Sequence, residues 1–171
     1  MKIETRILAE SVACIALAGV LYTIAIFQLP EGGRVTLASM VPILFVALRR
    51  GPKVGIATGI AFGFVALVLD SFAFVVNPLQ VALDYPLAFG ALGLAGFFRH
   101  APVIGVVVGV IGRFICHFIS GLLFFAIYAP AGEAPAVYSA VYNGSFLSIE
   151  LVMSAIIIFI LDKRGIMKLY M

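Results

Sequence analysis

The sequence predicts an all-α, polytopic membrane protein: a compact bundle of six transmembrane helices with both termini in the cytoplasm. The 171 residues are 64% hydrophobic and only 11% charged, with a mean hydropathy of +1.21. Soluble domains are about 45–50% apolar and about 25% charged. The apolar residues form runs long enough to cross a bilayer, and basic residues collect in alternate connections. We therefore expect a single integral membrane domain over residues 1–171.

Six apolar segments are candidate spans. A helix needs about 20 residues to cross the hydrocarbon core, and Pro, Gly or charged residues separate the segments. The second segment is short, so we expect it to be tilted or partly irregular. The first is longer than the apolar region of a signal peptide and lacks a convincing cleavage site, which indicates a retained helix. The expected spans are 7–28, 36–48, 54–75, 79–98, 102–128 and 137–161.

The basic residues test the number of spans. With six spans, both termini share one side with the loops at 49–53 and 99–101. That side then carries nine of the eleven Lys and Arg residues, namely Lys2, Arg6, Arg49, Arg50, Lys53, Arg99, Lys163, Arg164 and Lys168. Five or seven spans would divide them between both faces. Because a Lys and Arg excess marks the cytoplasmic side, we expect cytoplasmic termini. Residues scattered over short loops also exclude a nucleic-acid-binding face.

Small residues predict close helix packing. Gly55, Gly59 and Gly63 repeat every four residues in the third segment, and such spacing lets helix backbones approach. Cys14 and Cys116 lie inside apolar segments and predict neither a disulfide nor a metal site. The sequence also lacks an HExxH motif, so no metal is expected.

Polar side chains on three segments converge on the outer half of the bundle. At about 1.5 Å per residue, they lie between the outer surface and about four helical turns below it. Ionisable groups inside a membrane usually face a cavity and mark a functional site. The set is Asp84, Tyr85, Arg113, His117, Tyr138 and Asn143. Pro86 is expected in the first turn of its helix, where N–H groups lack partners.

Structural alternatives stay open for each of these residues. Arg113 could form an ion pair with Glu150 at similar depth, and His117 could be a hydrogen-bonded core residue. Asn143 could form an interhelical hydrogen bond. Asp84 could be an acid at a helix N-terminus, where it complements the helix dipole. That last alternative explains Asp84 alone and not the convergence.

The chemistry of this set suits binding better than catalysis. Carboxylate, imidazole, guanidinium, amide and aromatic groups fit a flat heteroaromatic cation, because rings stack on rings and attract positive charge. From the sequence we expect no acid to orient His117 beside Ser120, so no enzyme is expected. There is no GxxxxGK[ST] loop, so a transporter would take energy from partner chains. Ala9, Ala13 and Ala16 form a small-residue face on the first helix where a partner could dock.

Four stretches carry a family resemblance: "VTLASMVPILFVALRRGPKVGIATGIAFG", "QVALDYPLAFGALGLAGFFR", "GRFICHFISGLLFF" and "YSAVYNGS". Together they resemble the thiamine-specific substrate-binding subunit (S-component) of energy-coupling factor (ECF) transporters, over residues 6–162. The resemblance implies a six-helix protein of a bacterial cell membrane that binds thiamine from outside and needs no cofactor. It also implies docking on one transmembrane scaffold protein and two cytoplasmic ATPases.

The resemblance also assigns the ligand site. It implies that thiamine contacts Asp84, Tyr85, Arg113, His117, Phe125, Tyr138, Asn143 and Phe74. Family members can use Trp to sandwich the ligand, whereas this chain has no Trp. Phe125 stands at one such position, and Asp84 stands where a longer glutamate can occur. The outer loop 29–36 is expected to act as a lid.

Other functions remain as alternatives. The same fold could bind a thiamine precursor or another vitamin. A membrane enzyme acting on a lipid-like substrate would need a nucleophile–base pair or a metal cluster, and the sequence shows neither. A stand-alone proton-linked carrier could use Arg113, His117 and Glu150.

Overall fold

The computed structural model describes residues 3–71 and 75–168, which form six helices and one β-hairpin. The hairpin joins the first two helices and consists of β1 (Ala25–Gln28) and β2 (Arg34–Thr36), paired antiparallel around a 3-10 turn at Pro30–Gly32. Further 3-10 turns lie at Ala126–Tyr128 and Ile166–Lys168. The helices are α1 (Ile3–Thr23), α2 (Val41–Arg50), α3 (Pro52–Leu69), α4 (Pro78–Phe98), α5 (Pro102–Phe124) and α6 (Pro135–Lys163).

The predicted six-helix membrane bundle is confirmed, with one short member. Among the described residues, every helix except α2 is long and apolar enough to cross a bilayer. α2 has 10 residues, which span about 15 Å and so about half of the hydrocarbon core. Eight of its residues are buried. α2 therefore lies inside the bundle. The second segment was expected to be short and tilted or partly irregular, and the observed helix is indeed short.

The outer ends of the first two predicted spans differ from the observed helices. The predicted span 7–28 extends into β1, because α1 ends at Thr23. The predicted second span begins within β2, and α2 starts only at Val41. Aromatic residues such as Phe27 suit a strand, and Gly32, with φ of +92°, permits the chain to reverse. Apolar character alone does not separate a short strand from a helix end.

Helix α4 changes its winding along its length. Its residues Leu83–Leu87 form a π-helical turn, and Leu92–Phe98 form a 3-10 segment. Pro86 lies in the π-helical turn, so the prediction that it falls in the first turn of the helix is wrong. A proline ring in a regular α-helix clashes with the carbonyl four residues earlier, and the wider turn relieves this clash. Single π-turns occur frequently at functional sites.

Helices α3 and α4 pack with their backbones in contact. A Cβ atom on Gly63 would lie 2.6 Å from Cα of Pro86, and one on Gly55 would lie 3.1 Å from Cα of Gly93. These distances leave no room for a side chain, which confirms the packing predicted from the glycine spacing. Gly63 thereby supports the backbone of the turn that carries Asp84.

Basic residues meet at the end of the bundle opposite the hairpin. Glu10 of α1 lies 3.0 Å from Nε of Arg49 and accepts from Nε of Arg50 at 2.8 Å. Arg99 donates to the carbonyl of Arg49 at 2.7 Å. The grouping of these loops agrees with the span count. The cytoplasmic position of this end, and of both termini, stays a prediction.

Candidate ligand-binding site

A cavity lies beneath the hairpin, where α1 and α3 end and α4 and α6 begin. It encloses about 760 Å³ when the open space at its mouth is counted. Its wall includes residues from elements that are far apart in the sequence, such as Tyr22 of α1, Arg34 of β2 and Phe146 of α6. The cavity is therefore a product of the whole outer half of the bundle.

The structure brings most of the predicted site residues to this one cavity. Asp84, Tyr85, Arg113, His117, Phe125, Tyr138 and Asn143 all line it. Phe74 lies outside the described residues. The convergence expected from depth along three helices is thus present in the fold. Their binding of a ligand stays a prediction.

Asp84 is the carboxylate that links α4 to α5, and it contacts both His117 and Ser120. The expectation that these two residues lack an orienting acid is therefore wrong. Oδ1 of Asp84 lies 2.9 Å from Nδ1 of His117, and its Oδ2 accepts from Oγ of Ser120 and Nε2 of Gln80, each at 2.7 Å. The alternative of an acid at a helix N-terminus does not describe this position. Asn77 caps α4 and accepts from the N–H of Leu79 at 2.9 Å, while Asp84 lies within the helix.

His117 connects Asp84 to Arg113. Nε of Arg113 donates to Nε2 of His117 at 3.3 Å, so Nε2 must offer its lone pair. The imidazole proton then lies on Nδ1, which donates to Asp84. The three side chains form a row with a cation at one end, a neutral ring in the middle and a carboxylate at the other end. The ring of Phe146 lies edge-on to the imidazole at 5.9 Å.

Arg113 lies on an aromatic ring at the cavity floor. Its guanidinium carbon is 4.1 Å from the ring centre of Phe89, and the residue is only 7% exposed. Within the described residues, no carboxylate lies at ion-pair distance from Arg113. The alternative pair with Glu150 is therefore absent. Glu150 instead accepts from the N–H and Oγ1 of Thr36, at 2.5 Å and 2.7 Å, and ties α6 to the hairpin.

Asn143 has both a structural contact and a group available to a ligand. Its Nδ2 donates to the carbonyl of Ser139 at 2.9 Å and to that of His117 on α5 at 3.3 Å. The interhelical hydrogen bond considered from the sequence is thus present. Among the described residues the amide oxygen has no hydrogen-bond partner, and Asn143 lines the cavity.

Aromatic rings cover much of the remaining wall. The ring centres of Tyr138 and Tyr142 are 5.9 Å apart, and Phe125 stacks on Tyr128 at 6.1 Å. The hydroxyl of Tyr85 donates to Asp70 at 3.0 Å, so this hydroxyl is already engaged within the protein.

Tyr142 holds the hairpin over the cavity. Its hydroxyl donates to the carbonyl of Pro30 and accepts from the N–H of Gly33 at 2.9 Å. Together with the contact between Thr36 and Glu150, these bonds fix both ends of the hairpin turn on α6.

Sequence reasoning missed several cavity residues. Asp70 lies inside the predicted span 54–75, so the depth criterion applied to Asp84 would also have selected it. Tyr142 and Phe146 follow Tyr138 at four-residue spacing and share its helix face. Arg34 carried no such signal, because it lies in a connection that only the fold places over the cavity.

Known proteins show the same architecture and a related sequence. The model of the family described as thiamine transporter protein (Thia_YuaJ) matches residues 8–169. The thiamine transporter ThiT of Bacillus subtilis (strain 168) is 31% identical over 150 residues, 78% of this chain and 77% of that protein. ThiT of Lacticaseibacillus paracasei (strain ATCC 334) is 31% identical over 140 residues, 71% of this chain and 70% of that protein. A solved structure of ThiT from Listeria monocytogenes has a TM-score of 0.85 and 26% identity, covering 95% of this chain and 96% of that chain.

Proposed function

The chain belongs to the thiamine transporter protein family and is a multi-pass protein of a bacterial membrane, and on this premise we propose that its cavity binds thiamine from outside the cell. The protein acts as the S-component of an ECF transporter and performs no chemistry on the vitamin. The family match and the similarity to ThiT support the transport role. The identity of the ligand rests on the cavity.

The observation that carries this proposal is the position of Asp84 in a cavity walled by rings. Thiamine joins an aminopyrimidine to a positively charged thiazolium ring. A carboxylate accepts amino donors in charge-assisted hydrogen bonds, and ring faces attract an organic cation. Among the described residues, Asp84 contacts only neutral donors, His117, Ser120 and Gln80, so its charge is available to the ligand.

Each predicted residue that the structure describes has a role in this arrangement. Asp84 and the free amide oxygen of Asn143 hydrogen-bond the aminopyrimidine. His117 and Phe125 stack on the rings, and Tyr138 contacts a polar end of the ligand. Tyr85 contributes its ring, since its hydroxyl binds Asp70. Arg113 closes the cavity floor and orients Asp84 through His117.

Equilibrium binding to the purified protein tests this function. Calorimetry should show saturable binding of thiamine, and Asp84→Ala should weaken it about tenfold or more, because a hydrogen bond to a charged group contributes about 1.5–3 kcal/mol. Asp162→Ala, at the opposite end of α6, is the matched control and should leave affinity unchanged. Absence of thiamine binding by folded protein would refute the function, whereas unchanged affinity in Asp84→Ala would remove Asp84 from the site.

A ligand panel separates thiamine from its relatives. The pyrimidine precursor alone retains the contacts with Asp84 and Asn143 and loses the stacking of the thiazolium cation. We expect it to bind more weakly than thiamine. Equal or tighter binding of the precursor, or of another vitamin, would assign the site to that molecule.

Energy for uptake comes from a scaffold protein and two ATPases that dock on α1. Ala9, Ala13 and Ala16 are exposed on that helix, as a docking face of small residues requires. Ala13→Trp should abolish thiamine uptake by cells that contain the partners and leave binding by the purified protein unchanged. Ala61→Trp, at an exposed position of α3, is the control. Uptake by the protein alone, dissipated by an uncoupler, would instead support a proton-linked carrier.

A further inference from the structure

A second carboxylate, Asp70, lies in the cavity wall, where it contacts three other polar side chains. Its Oδ2 accepts from the hydroxyls of Tyr22 and Tyr85, at 2.8 Å and 3.0 Å. Its Oδ1 lies 2.6 Å from Nη2 of Arg34. All four residues line the cavity. They come from α1, α4, the end of α3 and the hairpin, so the cluster exists only in the folded protein.

The cluster has the composition of a site for an organic cation. The guanidinium carbon of Arg34 lies 4.8 Å from the ring centre of Tyr22, and the same guanidinium forms the ion pair with Asp70. The Tyr22 ring is held edge-on by Phe62 and Phe89, at 5.9 Å and 6.0 Å. An aromatic face and a carboxylate together bind guanidinium and ammonium groups.

The anion and the cation of this cluster belong to different parts of the fold. Asp70 and Tyr22 are fixed by the helical bundle, and the Asp70 side chain is 5% exposed. Arg34 is carried by the hairpin, and its side chain is 16% exposed. The helical bundle therefore forms the site, and the hairpin supplies the guanidinium group that fills it.

We infer that Asp70, Tyr22 and Tyr85 form a second cation subsite of the cavity and that Arg34 is its tethered occupant, which sets the charge selectivity of the protein. Among the described residues, the cavity wall has two carboxylates, Asp70 and Asp84, and two guanidinium groups, Arg34 and Arg113. Because Arg34 neutralises Asp70, Asp84 is the described carboxylate left to a ligand, and Arg113 is separated from it by the ring of His117. A ligand with a single positive charge fits this arrangement. Without Arg34, the subsite admits a small organic cation or the second charge of a dication.

An ion pair that only anchors the hairpin predicts different behaviour. Loss of such an anchor would lower stability, and no free cation would restore it selectively. A subsite, in contrast, is refilled by a cation of the right shape, and saturable binding to the folded state raises its stability.

Chemical rescue distinguishes the two. Thermal unfolding of purified Arg34→Ala is followed by circular dichroism with millimolar guanidinium chloride or equal NaCl. We expect guanidinium, and not sodium, to restore half or more of the lost Tm in a saturable manner. Wild type and Arg34→Ala/Asp70→Asn should show no such gain. If Arg34→Ala does not fold, Arg34→Gln replaces it. A Tm that falls or stays constant with guanidinium in Arg34→Ala overturns the subsite.

The relative affinity for a singly and a doubly charged ligand is a second measurement, and it rests on the proposed thiamine binding. A thiamine analogue with an ammonium group in place of the side-chain hydroxyl carries two positive charges. Its affinity relative to thiamine should rise about tenfold in Arg34→Ala, as expected for one added charge pair, while Arg34→Lys should keep the wild-type ratio. An unchanged ratio in Arg34→Ala refutes the role in selectivity. If wild type fails to bind thiamine, the proposed function fails, and the guanidinium experiment still decides the subsite.

Discussion

Asp84 and Asp70 are two aspartates of one cavity with opposite electrostatic surroundings. Asp70 has a guanidinium partner at 2.6 Å and two phenol donors. Asp84 has a hydroxyl, an amide and a neutral imidazole as donors, and the guanidinium of Arg113 contacts the other nitrogen of that imidazole. Buried charges need compensation. Asp70 obtains it within the protein, and under the proposed function Asp84 obtains it from the ligand.

The largest effect on stability is expected for Asp70→Asn. This change leaves the Arg34 guanidinium without its anion and costs about 3 kcal/mol, the lower end for breaking a buried pair, because Arg34 remains 16% exposed. Thermal unfolding of the purified protein without ligand measures the loss. A Tm equal to that of wild type would show that the pair contributes nothing and would remove the contrast between the two aspartates.

Asp84→Asn should change thermal stability little and ligand affinity strongly, the reverse of what is expected for Asp70→Asn. The isosteric amide keeps contacts with Ser120 and Gln80 possible, so the Tm of the free protein should change little. Thiamine affinity should fall about 10- to 100-fold, since the charge that the ligand would meet is removed. Calorimetry measures this loss. Equal affinity in Asp84→Asn and wild type would contradict the assignment of the free charge to Asp84.

Gly63→Ala tests whether the π-helical turn positions Asp84. The added Cβ atom would lie 2.6 Å from Cα of Pro86 and push the turn outward, at a cost of roughly 1–2 kcal/mol in stability and a several-fold loss in affinity. In the control Gly144→Ala the nearest atom, on Phe114, is 3.9 Å away. If both variants unfold at the same temperature and bind thiamine equally, close packing of α3 does not control the site.

Ser120→Ala should have the smallest effect on thiamine affinity. It removes one of the neutral donors to Asp84, at 2.7 Å, a hydrogen bond to a charged group that contributes about 1.5–3 kcal/mol to the stability of the folded protein. We expect affinity to fall only a few-fold, because Gln80 and His117 remain. Ser148→Ala, an exposed serine of α6 that bonds only its own helix, is the control. A loss as large as that of Asp84→Asn would show that Ser120 itself contacts the ligand.

Much of the fold could be predicted because the membrane imposes a local rule. A segment that crosses lipid must be apolar and helical over its length, and this can be read from neighbouring residues alone. The rule fails at the outer surface, where the apolar residues after Thr23 form a strand instead of a longer helix. It also does not describe the winding within a helix, so the π-turn at Pro86 was not predicted.

The site could be predicted in part for the same reason. A charge inside an apolar run is conspicuous in the sequence, and Asp84, Arg113 and His117 were found in this way. Arg34 was not, because it lies in a connection that resembles an ordinary loop.

The sequence by itself determined that the chain is a membrane helix bundle with a polar outer half, because hydrophobicity and the cost of buried charge act residue by residue. Only the tertiary structure decided which side chains contact one another. Among the described residues, Arg113 lies on the ring of Phe89 and forms no ion pair with Glu150, and Asp70 pairs with Arg34 of the hairpin. Pairing depends on distances of a few ångströms between separate elements, and electrostatic energy falls steeply with distance. The order of residues along the chain does not contain those distances.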